Sequence, residues 1–167
     1  PEAFNRALDN YSLIYSAGFD VCVLNTSYKG FGYKKEVHLW ITTHDYENAN
    51  LMILLAYILL GHPDWQKGQI KIFAIYNEDE LSSKREQLLS LIKSGRLPIS
   101  PENIRLIPVD EQRNTKGLIT QNSIDADLTI VGFRHELVKA KGIEVFTGFD
   151  NIGNVLFVSS QRQKEIT

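Results

Sequence analysis

Residues 38–65, HLWITTHDYENANLMILLAYILLGHPDW, contain the most apolar run of the chain, and the reading of that run decides the fold. The segment from Leu51 to Leu60, LMILLAYILL, carries no charge. As a helix it would rise about 1.5 Å per residue and cover about 15 Å, half of a hydrocarbon core of about 30 Å. It is too short to span a membrane. Its flanks carry helix signals instead. Asp45 stands where a side chain can cap a helix N-terminus, and Glu47 adds negative charge to the first turn. Gly61 supplies a stop, and Pro63 prevents continuation. Upstream, Val37-His38-Leu39-Trp40-Ile41-Thr42 reads as a β-branched and aromatic strand. A strand, a short loop and a helix apolar on nearly every side form the pattern of a helix packed on a covered parallel sheet. A peptide-binding groove is the lesser reading. The expected helix is 46–60, with Leu51, Leu54, Leu55 and Ile58 buried.

The same alternation extends in both directions. Phe4, Leu8, Tyr11 and Tyr15 recur at helical spacing and give an N-terminal helix ended by Gly18. Phe19 to Leu24 reads as an edge strand. The loop NTSYKGFGYKKE follows, and its length suits an antiparallel return better than a helical crossover. Later strands are expected at 69–76, 104–109, 127–132 and 154–159. Helices are expected at 80–94 and 115–124, with an irregular helical stretch from His135 to Asp150. Strands alternating with helices predict a doubly wound, mainly parallel α/β sheet, with residues 1–167 forming a single domain.

Composition narrows the function. The 167 residues are 43% apolar and 23% charged, with a net charge of −2. That balance argues against nucleic acid as the main partner, because no excess of Lys and Arg exists to neutralise phosphates. The single cysteine, Cys22, rules out an internal disulfide framework and reads as a packed thiol in an apolar run. The only methionine is Met52, so the natural start is expected upstream, in a larger protein.

Chemistry-bearing motifs are few. His38, His44, His62 and His135 form no ligand pair, so no metal site is expected. His38 and His62 read as structural. The paired glycines Gly30 and Gly32 lack phosphate-loop spacing. No nucleophile elbow occurs, and Asp127 is explained by a turn before a strand. Trp40 and Trp65 read as core. In open α/β sheets, ligands bind beyond the carboxyl ends of the strands, where strand order reverses. If strands 37–42 and 127–132 are central neighbours, Thr42, Thr43, His44 and Asp45 face one crevice with Gly132, Arg134 and His135. Those seven residues are the candidate ligand-binding set. No catalytic residue and no cofactor is expected.

Three segments carry a family resemblance. VHLWITTHDYENANLMILLAYILLGHPDWQKGQIKIFAIY, then Ser123 to Gly132, then Asn154 to Ser159 occur in the order found in the last cytoplasmic lobe of cation–chloride cotransporters and related amino acid–polyamine–organocation permeases. Matching features are Leu39-Trp40, Asp45, Ala56 to Leu60, Trp65 and Ile70 to Phe73, with a closing Ile166-Thr167. The resemblance spans about residues 19–167. It implies an α/β lobe similar to universal stress proteins, and a role as a non-catalytic regulatory and dimerisation domain on the cytoplasmic side of the cell membrane. It also implies a transmembrane domain in the same polypeptide and a homodimer in the intact carrier.

The chain departs from the family in two places. Thr43-His44-Asp45-Tyr46 replaces the glycine-rich turn of the animal members, and their long phosphorylatable insertion is absent. A prokaryotic type is therefore expected. The alternative is a free-standing nucleotide-binding protein of the universal-stress type. That type needs small residues beside a phosphate, where this chain has Gly132-Phe133-Arg134-His135-Glu136-Leu137.

Overall fold

The computed structural model of the chain describes residues 2–166. Six strands form one sheet: β1 (Val21–Asn25), β2 (Glu36–Thr42), β3 (Gln69–Tyr76), β4 (Ile104–Pro108), β5 (Leu128–Gly132) and β6 (Asn154–Ser159). Their spatial order is β1-β6-β5-β2-β3-β4. All pairings are parallel except β1 with β6. The helices are α1 (Glu2–Ser16), α2 (Ala49–Leu60), α3 (Leu81–Ser94), α4 (Thr115–Asn122) and α5 (His135–Lys141). This is the mainly parallel α/β sheet expected from the alternation of elements.

Helices cover both faces because successive strand residues point in opposite directions. Leu39 and Ile41 join Met52, Ile53, Leu88 and Ile92 under α2 and α3. Trp40 points the other way, into a cluster with Tyr11, Ile119, Val138 and Phe157 under α1, α4 and α5. Both faces of β2 are therefore dry, which explains why its sequence is apolar rather than alternating. Trp40 and Trp65 are both core residues. No helix among the described residues is long and apolar enough to cross a membrane.

The structure corrects four expectations. The first concerns the start of α2, which is Ala49 rather than residue 46. The carboxylate of Asp45 does not cap it but turns back to Thr42, accepting from its backbone N–H at 2.9 Å. The second concerns the buried face. Met52, Ile53 and Ala56 are fully enclosed, Leu51 and Leu55 are partly so, and Ile58 is 67% exposed. A helix apolar on all sides gives no pattern by which to rank its faces.

The third correction is the partner of β1. The loop after β1 does not return to pair with β2 but crosses the amino ends of β6 and β5. Ser27 N–H donates to Asn154 Oδ1 at 2.8 Å, and the Asp127 carboxylate holds the rest of the loop. β1 thus pairs with β6, in the register Val21↔Ser159 to Asn25↔Val155. The fourth is Cys22, which is exposed on that edge strand rather than packed.

The N-terminal helix matches its periodicity, with Tyr11 buried and Leu8 and Tyr15 packed beside it. The side chain of Phe4, assigned to the same face, lies outside the described residues, as does Thr167. Ile166 packs against the cluster under α2 and α3.

Candidate functional site

β2 and β5 are neighbours, in the register Val37↔Leu128 to Trp40↔Val131. The chain leaves β2 toward α2 on one face and leaves β5 toward α5 on the other. Strand order reverses here, and a crevice of about 410 Å³ opens at the carboxyl ends. That volume lies within the range of small-molecule sites. Its walls are mostly apolar, built from Trp40, Ile75, Ile119, Phe133 and Phe157, while Arg113 and Arg134 stand at its border.

Of the seven candidate residues, Thr42, Thr43, His44, Asp45, Gly132 and Arg134 border this crevice. His135 does not. Its ring stacks on Tyr15 with centroids 3.9 Å apart, and its Nδ1 lies 3.3 Å from the Tyr11 hydroxyl. There it lines an adjoining depression of about 270 Å³ with Ser159 and Ser160, whose rim Thr43, His44 and Arg134 share with the crevice. Burial, above all, pushes the Tyr11 hydroxyl up to about 12.

Asp45 dominates the crevice wall. Its Oδ2 accepts from the Thr42 backbone N–H at 2.9 Å and the Thr42 hydroxyl at 3.0 Å, and its Oδ1 accepts from Asn48 Nδ2 at 3.0 Å. All three donors favour the ionised carboxylate, yet its burial outweighs them and raises its pKa above the ordinary aspartate value. Asn48 extends the network. Its Nδ2 also donates to Phe133 O at 3.1 Å, and its Oδ1 accepts from the Ser160 backbone N–H at 2.8 Å. One amide therefore ties the start of α2 to the ends of β5 and β6. Gly132 lies against this network, and a Cβ there would land on the Asp45 carboxylate. Its missing side chain makes room for Asp45. Phe133 turns into the core, edge-on to Phe146 at 5.1 Å.

Three contributors were not singled out from the sequence. Asn48 follows Asp45 at the spacing of a local turn, a signal that asparagines commonly carry. Arg113 and Lys116 come from the connection after β4, which folds back toward the crevice. Arg113 pairs with Asp110 at 3.3 Å. Lys116 Nζ donates to the backbone carbonyls of Glu144 and Thr147, with burial lowering its pKa.

A second polar chain lies deeper. Trp40 Nε1 donates to Ser123 Oγ at 2.8 Å, which sits 2.9 Å from His38 Nδ1, and His38 Nε2 lies 3.1 Å from Glu36. The Ser–His–Glu order resembles a hydrolase triad, but Ser123 is 0% exposed and its oxygen already accepts from the indole. Burial lowers the His38 pKa, favouring a neutral ring that satisfies its neighbours. His38 is structural, as is His62, whose Nδ1 accepts from the Asp64 N–H. Among the described residues, no group of His, Cys, Asp or Glu is placed to hold a metal.

No family model matches the chain, and no curated protein sequence does so either. Among solved structures, the chain is similar to the cytoplasmic domain of a prokaryotic cation chloride cotransporter, with a TM-score of 0.61 and 17% identity. The match covers 96% of this chain and 61% of the other, so the chain spans about three fifths of that solved domain. The likeness is one of fold. It agrees with the cotransporter-lobe resemblance of residues 19–167.

Proposed function

We propose that the chain is a non-catalytic regulatory and dimerisation domain of a membrane transporter, of the cation–chloride cotransporter type or of a related amino acid permease. Its site of action is the cytoplasmic side of the cell membrane, and its partner is the transmembrane part of the same polypeptide. The observation that carries this reading is the fold likeness over 96% of the chain. The polar groups at the strand ends favour a non-catalytic role, since Thr42, Asp45 and Asn48 direct their hydrogen bonds at one another. Two copies held by a membrane part meet at high effective concentration, so a weak interface suffices in the intact carrier. The test is genetic. The coding sequence upstream of Pro1 should encode several apolar segments of about 20 residues. A reading frame that opens near Pro1, without such segments, would overturn the proposal.

The crevice favours a second reading, a free-standing nucleotide-binding protein. Its volume and the arginines at its border suit an organic anion. Against it, the glycine that could approach a phosphate lies against Asp45 instead.

A further inference from the structure

The two edges of the sheet differ in protection. Exposed edge strands are normally blunted by charge or proline, because their free N–H and C=O groups invite another strand. β4 carries Arg105, which donates to Asn122 Oδ1, and ends in Pro108. β1 reads Val-Cys-Val-Leu-Asn and has neither device. No strand among the described residues pairs with its outer side.

The register identifies the free groups. Phe133 N–H donates to Val158 O at 3.0 Å, so Val158 turns its backbone toward β5. Cys22, opposite Val158, and Leu24, opposite Leu156, therefore occupy non-hydrogen-bonded pairs and turn their own N–H and C=O groups outward. Their side chains continue the sheet face of Leu156 and Val158 on the α2 side, and Leu24 is 46% exposed.

We propose that this edge joins two copies of the chain, β1 against β1, antiparallel about a two-fold axis through Val23. The proposal rests on the dimerisation reading above and locates its interface. Cys22 of each copy would exchange two backbone hydrogen bonds with Leu24 of the other, using all four outward groups. The edge carries no charge that would oppose pairing with its own copy. Residues 21–25 carry none, and Asp20, already paired with Lys164 at 2.7 Å, falls opposite Thr26 of the second copy. Side by side, the two Cys22 and two Leu24 side chains form one apolar patch across the joint. Such an isologous contact closes both open edges at once.

Disulfide trapping tests the proposal. Leu24→Cys places a thiol opposite Cys22 of the second copy, whereas Tyr57→Cys places one on the exposed face of α2. Under mild oxidation, Leu24→Cys should yield cross-linked dimer about tenfold faster or more, because paired strands hold the thiols at high effective concentration. Leu24→Pro supplies the complement. It removes only an outward N–H, so the fold should persist while the dimer seen in sedimentation at high concentration is lost. Faster cross-linking of Tyr57→Cys would overturn the edge assignment and leave the dimerisation reading intact. Cross-linking of neither variant above the wild-type rate would overturn the edge assignment and count against self-association itself. A dimer that survives Leu24→Pro would also overturn it.

Discussion

Two buried aspartates sit at opposite ends of the sheet, each against a glycine that cannot carry a side chain. At the amino end, Asp127 accepts from the backbone N–H groups of Tyr33, Lys35 and Glu36 at 2.8–2.9 Å, and a Cβ on Gly32 would strike it. At the carboxyl end, Asp45 accepts one backbone N–H, one hydroxyl and one side-chain amide, and Gly132 makes room for it. The devices are similar but their consequences differ. Asp127 clamps a ten-residue loop that has no helix or strand to order it, so its role is stability. Asp45 orders only a tight turn and borders a crevice, with burial holding its pKa raised. The amino rim orders a loop, and the carboxyl rim borders the crevice.

The largest effect that would sharpen this contrast is expected from Asp127→Ala. It leaves three backbone donors without their carboxylate, and should cost about 3–5 kcal/mol in urea unfolding, since hydrogen bonds to charged groups contribute about 1.5–3 kcal/mol each and water recovers part. A cost below that of Asp45→Ala would break the distinction. Gly132→Ala should follow at about 1–3 kcal/mol, the usual cost of forcing atoms into a filled site. A neutral result would show that the Asp45 network yields easily.

The pH response separates the two rims more finely. A raised Asp45 pKa gives stability that is fully present below the unfolded value of about 3.9 and is lost as pH rises through the folded value. Wild-type stability measured against Asp45→Asn should therefore decline from about pH 4 toward neutrality. A relative gain over that range would reverse the assignment. His38 and Glu36 act in the opposite sense. Their lowered pKa values give stability that is present at neutral pH and lost on acidification. The smallest change is expected at Thr129, whose buried hydroxyl has no partner among the described residues. Thr129→Val should be neutral or stabilise the fold by about 1 kcal/mol, read as a rise in melting temperature.

The sheet and its strand boundaries were legible because period-two and apolar runs, punctuated by glycine and proline, record burial directly. Gln69–Tyr76 and Asn154–Ser159 begin and end where the sequence places them. The outward face of α2 was not legible. Leu54, Tyr57 and Ile58 look like core residues until their neighbours are known. The pairing of β1 was hidden for a similar reason: a loop length restricts partners but does not choose between β2 and β6. At the site, strand ends point to Thr42–Asp45 and Gly132–Arg134 through topology alone. The departure of His135 depends on a stacking partner, Tyr15, that lies 120 residues away in the chain. The purpose of Gly132 was likewise invisible, since a glycine reserved for a phosphate and one reserved for a carboxylate read identically.

The proposed scaffold role requires that Asp45, Asn48 and Gly132 close the switch point to phosphate. Losing two or three charge-assisted contacts of about 1.5–3 kcal/mol each weakens a nucleotide by several orders of magnitude. Calorimetric titration of the chain with ATP and magnesium tests this directly. The expected result is no binding tighter than about millimolar and no hydrolysis. A micromolar or tighter dissociation constant, abolished by Arg134→Ala, would contradict the scaffold reading and establish the crevice as a nucleotide sensor.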